Sequence, residues 1–186
     1  MKILIPTDFS VLPEHAWILI QRMMMGKNID VTFLHVMQVP ETVTLDGQKN
    51  FNTCGEIDVN YLLSQKSMIE KKLAGIALEH PEAKTEWVAG KLTDSIVGYA
   101  ENNDFDLIAM ATHGAFGISE AVSGTNTQVV ARKSQIPVLS LMCDRSDWTL
   151  KNVLFVNDFS SPFDMNLHWL ETMMDAEHSN MHFYTW

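Results

Sequence analysis

Short apolar segments alternate with longer amphipathic segments along most of the chain, and this order is the feature that most limits its possible folds. Leu107–Thr112 is continuously apolar, as expected for a strand of a parallel sheet that is covered on both faces. Val59–Leu78 has apolar residues at helical spacing between lysines and glutamates. The alternation predicts an α/β fold with a doubly wound, open five-stranded parallel sheet.

The remaining predicted elements follow the same pattern. Predicted strands are Ile3–Thr7, Val31–Val36, Lys84–Ala89 and Val138–Met142, and predicted helices are Leu12–Met25, a helix capped by Thr93-Asp94-Ser95 and ended by Asn102-Asn103-Asp104, and Glu120–Lys133. Gln38–Ile57 is mostly polar and contains Pro, Gly and Asn, which predicts a long loop that is either a functional lid or mobile.

Residues 151–186 repeat the start of the chain. Without a gap, Ile3-Leu4-Ile5-Pro6-Thr7-Asp8-Phe9-Ser10 aligns with Val153-Leu154-Phe155-Val156-Asn157-Asp158-Phe159-Ser160. We therefore expect a domain at 1–143, a linker at 144–150 and an incomplete second repeat (strand, helix, strand) at 151–186. About 36 residues cannot bury enough surface to be stable alone. Either the polypeptide is part of a longer two-domain protein, or this segment docks on the first domain or on another chain.

The composition limits the kinds of partner. A net charge of −10 with 13 Lys and Arg argues against nucleic-acid and membrane-surface binding. Two cysteines without metal-ligand spacing favour a reducing, cytoplasmic location. No apolar run is long enough to span a bilayer, and no signal peptide is recognisable.

The turn after the first predicted strand is the first candidate binding feature. Asp8 and Ser10 follow Pro6 and Thr7 at the carboxyl end of a strand, where open α/β sheets bind ligands. The Asp8 carboxylate can accept hydrogen bonds from a ribose hydroxyl or an adenine amino group. The alternative is that Asp8 or Ser10 only caps the next helix.

The second candidate feature is a glycine-containing segment after the fourth predicted strand. It contains Gly114, Gly117 and Gly124, followed by Thr125 and a helix. Glycines before a helix let backbone N–H groups approach phosphate oxygens. The alternative is that these glycines serve only turn geometry and close packing. His113 borders the segment, where it could contact a phosphate or cap the strand end.

Other motifs do not support a catalytic or metal site. Ser119 lies in a pattern close to a nucleophile elbow, but it does not follow a strand directly and is expected to cap a helix. Gly90-Lys91-Leu92-Thr93 lacks the upstream glycine of a phosphate-binding P-loop. The seven histidines have no HExxH or comparable spacing, so we predict no built-in metal site and no catalytic residues.

Together, these segments resemble the universal stress protein family of adenine-nucleotide-binding domains. The resemblance covers residues 1–143 and is carried by the Pro6–Ser10 turn, Leu34-His35-Val36, Asp106–Gly114, Gly124-Thr125 and Ile136–Leu139. The family's ATP-binding pattern ends in a glycine, nine residues, a second glycine and a Ser or Thr, and Gly114, Gly124 and Thr125 match this part. The first glycine of the pattern is replaced by Ala111. The resemblance implies a Rossmann-like, adenine nucleotide alpha hydrolase-like sheet with strand order 3-2-1-4-5.

The resemblance also implies the roles of individual residues. Asp8 would contact adenosine, Val36 would recognise adenine through its backbone, and Gly114, Gly124, Thr125 and Asn126 would hold phosphates. The full predicted set for ATP or AMP is Pro6, Thr7, Asp8, Ser10, Val36, Met110, Ala111, His113, Gly114, Gly117, Gly124, Thr125 and Asn126. Mg²⁺ or Mn²⁺ would be carried by the phosphates. The family implies a regulatory protein of the stress response with at most slow ATP hydrolysis.

Two further expectations concern assembly. The last strand, Val138–Met142, would be an unpaired sheet edge, and we expect a homodimer through this strand, through the partial repeat, or through both. The alternative function is an interaction module of the same fold that dimerises and binds no nucleotide.

Overall fold

The computed structural model describes residues 1–54, 57–112, 126–142, 150–158 and 168–185. Within them the elements are β1 (Lys2–Pro6), α1 (Leu12–Met23), β2 (Asp30–Gln38), β3 (Val43–Leu45), β4 (Phe51–Thr53), α2 (Val59–Glu79), β5 (Lys84–Gly90), α3 (Leu92–Asn102), β6 (Leu107–Thr112), α4 (Asn126–Lys133), β7 (Val138–Met142), β8 (Asn152–Val156), α5 (His168–Glu177) and β9 (Asn180–Tyr184).

Five parallel strands form the main sheet in the order β5-β2-β1-β6-β7. In the numbering of the five predicted strands this order is 3-2-1-4-5, so the predicted fold is confirmed. The chain builds outward from β1 through β2 to β5, then crosses back to β6 and β7 on the other side of β1. The switch point therefore lies between β1 and β6, and the crevice above it is where ligands bind in such sheets.

Alternate residues of each strand enter two cores on opposite faces of the sheet. Ile3, Ile5 and Phe33 pack against α1, and β2 continues on this face with Met37 against α2. Leu4 and other residues on the opposite face pack against α3 and α4. Burying one such aliphatic side chain contributes about 1.5–3 kcal/mol. Coverage on both faces explains why the interior strands β1 and β6 have continuously apolar segments.

Residues between β2 and α2 differ from the predicted long loop. They contain a short antiparallel hairpin in which β3 pairs with β4 from Val43↔Thr53 to Leu45↔Phe51. Asp46 closes the turn, because its carboxylate accepts hydrogen bonds from the backbone N–H groups of Gln48 and Asn50. The local bonds of one aspartate thus order a segment that its composition marks as irregular.

The predicted start of the third helix is wrong by a few residues. α3 begins at Leu92, and its N-terminal flanking residue Lys91 makes no side-chain capping bond. Asp94 lies within the first turn and forms ion pairs with Lys133 and Lys91. Asp94 therefore links α3 to α4 through Lys133, whereas the sequence suggested that it caps α3.

The 150–185 region contains a second parallel strand pair with the same pairing as the first. Lys2 pairs with Asp30 in β1 and β2, and Asn152 pairs with Asn180 in β8 and β9. The first hydrogen bond of each strand pair is also equivalent. Asp30 N–H donates to the Met1 carbonyl, and Asn180 N–H donates to the Lys151 carbonyl, each at 2.9 Å. That this region begins a second copy of the domain stays a prediction.

Helix α5 packs on the first domain. Met173 is 1% exposed and belongs to the core that contains α1 residues Trp17 and Met23, with Trp169 and Met174 packed against it. Docking on the first domain, one of the three possibilities stated for the repeated segment, is therefore seen for α5. None of the described helices combines the length and apolar character that a membrane crossing requires.

Candidate functional site

The carboxyl ends of β1 and β2 bring two predicted site residues together. Thr7 N–H donates to the Leu34 carbonyl at 2.8 Å, which is the last rung between the two strands. Asp8 is the second residue after the end of β1, and Val36 lies on β2 two residues after Leu34. Both line an open cavity of about 470 Å³ whose other wall is α2. The structure therefore places Asp8 and Val36 at one cavity, and their predicted roles in binding adenosine stay predictions.

The backbone of Val36 faces the crevice. Backbone groups of alternate residues in a parallel strand point to the same neighbour, and the Leu34 carbonyl points to β1. Val36 therefore presents its N–H and C=O on the β1 side, where β1 has already ended at Pro6. On that side no strand of the described residues pairs with Val36, while on the other side β2 pairs with β5. A buried peptide group needs a partner, and the donor and acceptor of an adenine edge match this pair.

The side chains of Val36 and Met110 lie in the core. They are 5% and 8% exposed and pack together with residues of α3 and α4. They therefore line no polar surface themselves, and Val36 can recognise a base only through its backbone. Ala111 is partly buried on the opposite face, against the α1-side core.

The turn between β1 and α1 is held by three hydrogen bonds to side chains. Phe9 N–H donates to Thr7 Oγ1 at 3.0 Å, Ser10 N–H donates to Asp8 Oδ1 at 2.9 Å, and Leu12 N–H donates to Ser10 Oγ at 3.3 Å. The N-terminal flanking residue of α1 is Val11, which makes no side-chain cap. Asp8 therefore orders the turn before the helix rather than capping the helix itself.

Phe9 has a left-handed backbone, with φ of 65°. Such a conformation is uncommon for a bulky residue and costs about 1–2 kcal/mol. Two contacts of the ring offset this cost: it stacks on His35 with centroids 4.3 Å apart, and the Lys72 ammonium lies 4.8 Å from its centroid. Strain of this kind concentrates at functional sites.

The Asp8 carboxyl is ionised at neutral pH. Partial burial raises its pKa, but hydrogen bonds from the Ser10 side chain and backbone outweigh this, with a smaller contribution from His35. The net effect holds the pKa of Asp8 below its ordinary value. The carboxylate is therefore an acceptor for hydroxyl or amino donors of a ligand.

His35 is a polar ring in an apolar strand. Its Nδ1 lies 2.8 Å from the Thr7 carbonyl, so Nδ1 carries the proton and donates. Burial lowers the pKa of His35, and the positive charge of Lys72 lowers it further, against opposing contributions from the Thr7 bond and Asp8. The ring is therefore neutral at pH 7 and holds the end of β1 against β2.

Phe9, His35 and Lys72 line this cavity and were not among the predicted site residues. His35 could have been found from the sequence, because a histidine within an apolar strand is unusual and indicates a specific polar contact. Phe9 stood inside the quoted turn, but its backbone conformation has no sequence signature when the residue is not glycine. Lys72 resembled any exposed lysine of an amphipathic helix, and only the position of α2 relates it to the crevice.

Several predicted site residues lie outside the described residues: His113, Gly114, Gly117, Gly124 and Thr125, and also Ser119. Asn126 is the first described residue of α4 and is exposed. Pro6 ends β1, and Thr7 is 5% exposed with its hydroxyl used inside the turn. Within the described ranges, no group of three or more His, Cys, Asp or Glu side chains is placed to hold a metal ion.

The sequence of this chain is similar to those of universal stress proteins. A family model described as the universal stress protein family matches residues 1–141. A universal stress protein of Methanocaldococcus jannaschii is 32% identical over 149 residues, covering 74% of this chain and 92% of that protein. A second, from Synechocystis, is 39% identical over 75 residues, covering 40% of this chain and only 24% of that longer protein.

Solved structures have the same fold. The Methanocaldococcus jannaschii protein superposes with a TM-score of 0.57 at 29% identity, covering 77% of this chain and 96% of that chain. An Archaeoglobus fulgidus universal stress protein has a TM-score of 0.68 at 20% identity, covering 98% of this chain and 64% of that chain. Two others were solved with nucleotides: one with cAMP (TM-score 0.55, 16% identity, 76% and 96% covered) and one from Arabidopsis thaliana with AMP (0.52, 12%, 79% and 94%).

Proposed function

Because the chain belongs to the universal stress protein family, we propose that it binds an adenine nucleotide, ATP or AMP, in the crevice at the carboxyl ends of its strands. The observation that carries this proposal is that Asp8 and Val36 line the same cavity, and that no described strand pairs with Val36 on the β1 side. Nucleotide complexes of two proteins with this fold support it. Binding would make the protein a regulatory component of a stress response in the cytoplasm.

The polar groups of the crevice suit an adenosine. The Val36 N–H and C=O can bond the ring nitrogen and the amino group at one edge of adenine. The ionised Asp8 carboxylate can accept from the ribose hydroxyls. Two charge-assisted bonds from the ribose hydroxyls to Asp8 would contribute about 3–6 kcal/mol in total. Micromolar binding requires about 8 kcal/mol, so the adenine contacts of Val36 and the phosphate contacts must supply the rest.

For the phosphates, we propose the segment after β6. Gly114, Gly124 and Thr125 would hold them, with Asn126 at the start of α4, and Mg²⁺ or Mn²⁺ would bind through the phosphate oxygens. We expect hydrolysis, if measurable, to be slow. Substituting Gly124 by a bulky residue should abolish ATP binding, and unchanged affinity in Gly124→Val would remove this segment from the site.

The direct test is to identify what the purified protein carries. Denaturation followed by liquid chromatography and mass spectrometry would identify a retained nucleotide, and calorimetric titration of ATP and AMP into the emptied protein would measure affinity. We expect stoichiometric adenine nucleotide or micromolar binding. A protein that is empty and ignores both ligands would contradict the proposal.

The second candidate function is an interaction module that binds no nucleotide. It is favoured by the exposed apolar residues of the β8–β9 pair: Leu154 and Phe183 are 63% and 68% exposed, and Val156 and Tyr184 are also exposed. We propose that 151–186 begins a second tandem copy of the domain and that this surface, the edge strand β7, or both mediate a homodimer. Light scattering across a concentration series tests this, and a strictly monomeric species would count against it.

A further inference from the structure

The cavity next to Asp8 and Val36 is short of positive charge. Its charged lining residues are Asp8, Asp58 and Lys72, and His35, which also lines it, is neutral at pH 7. Asp58 accepts a hydrogen bond from Tyr61 N–H at the start of α2. In a chain of net charge −10, an anionic ligand entering here meets two carboxylates and one ammonium.

Lys72 differs from most other described lysines in its partners. Lys49, Lys66, Lys84, Lys91 and Lys133 each lie within 4.0 Å of a carboxylate oxygen. Lys72 has no such partner among the described residues, and its ammonium instead lies over the Phe9 ring. A cation–π contact at an exposed position contributes only about 0.5–1 kcal/mol, so the ammonium remains available for a stronger anionic partner.

The surroundings of Phe9 hold the Lys72 ammonium at the crevice. The Phe9 ring stacks on the His35 ring, and His35 Nδ1 donates a hydrogen bond to the Thr7 carbonyl. Lys72 also lines an adjoining cavity of about 330 Å³ between α1 and α2, but that cavity carries the carboxylates of Glu14 and Glu79. Each cavity therefore combines Lys72 with two carboxylates, and the Asp8 side is the one in which we propose that the nucleoside binds.

We propose that Lys72 of α2 binds the anionic group of the nucleotide, so that the site selects a nucleotide over the corresponding nucleoside. This inference rests on the proposed nucleotide binding and adds a residue on α2 to it. A lysine serves as a mobile point charge on a flexible stem, so its ammonium can leave the Phe9 ring and meet a phosphate. A charge-assisted contact of this kind changes affinity by about tenfold.

The test compares AMP with adenosine in two variants by calorimetric titration. Lys72→Met removes the charge, and Lys71→Met is the matched control, since Lys71 is the preceding exposed residue and does not line the cavity. We expect Lys72→Met to weaken AMP about tenfold while adenosine changes less than twofold. Lys71→Met should leave both affinities unchanged, and Lys72→Arg should retain the preference for AMP.

The possible outcomes separate the two proposals. Equal weakening of AMP and adenosine in Lys72→Met, no weakening at all, or an equal effect of Lys71→Met would overturn the role of Lys72 while nucleotide binding stands. A wild-type protein that binds neither AMP nor adenosine would overturn both. Thermal unfolding of each variant checks that the fold is intact, and Lys72→Arg provides a second comparison if Lys72→Met is unfolded.

Discussion

The imidazole Nδ1 of His35 lies 2.8 Å from the carbonyl oxygen of Thr7, which links the middle of β2 to the first residue after β1. The same ring stacks on Phe9. His35 therefore positions both residues that flank Asp8, and the shape of the crevice depends on a neutral histidine.

Replacing His35 should change how stability depends on pH. Because burial lowers the pKa of His35 below 6.5, the unfolded chain binds a proton before the folded protein does. The contribution is therefore fully present above about pH 6.5 and is lost as the pH falls through the lower, folded-state pKa. Urea unfolding at pH 7.5 and 5.5 should show a smaller loss in His35→Phe than in wild type. The exposed His182→Gln serves as control and should behave like wild type, and an unchanged loss in His35→Phe would contradict the prediction.

The strained backbone of Phe9 can be tested with two substitutions. Both Phe9→Ala and Phe9→Gly remove the stacking on His35, but only glycine adopts a φ of 65° without strain. We expect Phe9→Ala to have a free energy of unfolding about 1 kcal/mol below that of Phe9→Gly. At Val11, where φ is −72° and the side chain is 58% exposed, the order should reverse, because glycine then only adds freedom to the unfolded chain. The same order at both positions would argue against strain at Phe9.

Neutralising Asp8 should weaken nucleotide binding. Asp8→Asn keeps one acceptor oxygen but loses the charge, and bonds to a charged group contribute about 1.5–3 kcal/mol, so AMP affinity should fall at least tenfold. Calorimetric titration measures this, and Asp175→Asn, on the exposed surface of α5, should leave the affinity unchanged. Wild-type affinity in Asp8→Asn would place the ligand elsewhere.

Met173 should stabilise the first domain although it belongs to the repeated segment. Its side chain is 1% exposed within the core that contains Trp17 and Met23. Met173→Ala should lower the free energy of unfolding by about 2–5 kcal/mol, because it leaves a cavity there. Leu78→Ala, at a position 84% exposed, should change it by less than about 0.5 kcal/mol. A matching small effect at Met173 would mean that α5 is not part of this core.

Much of the main sheet was predictable from the sequence. The predicted strands Leu107–Thr112 and Val138–Met142 agree with the observed bounds of β6 and β7. β6 is an interior parallel strand, and its continuously apolar sequence is visible without knowledge of its neighbours. The edge strand β7 directly follows Pro137, which marks where it begins. The hairpin between β2 and α2 was missed, since three-residue strands held by Asp46 have no periodicity to detect.

The sequence by itself determined the alternation of strands and helices and the position of Asp8 just after a strand. These properties follow from local pattern and chain connectivity, whereas the strand order was implied by the resemblance to the family. Only the tertiary structure decided three further features. The backbone of Val36 faces the crevice beside Asp8, on a side where no described strand pairs with it. Phe9 is strained between His35 and Lys72, and α5 completes the α1-side core. Each of these depends on distances between elements far apart in the chain, which side-chain packing sets and local pattern does not encode.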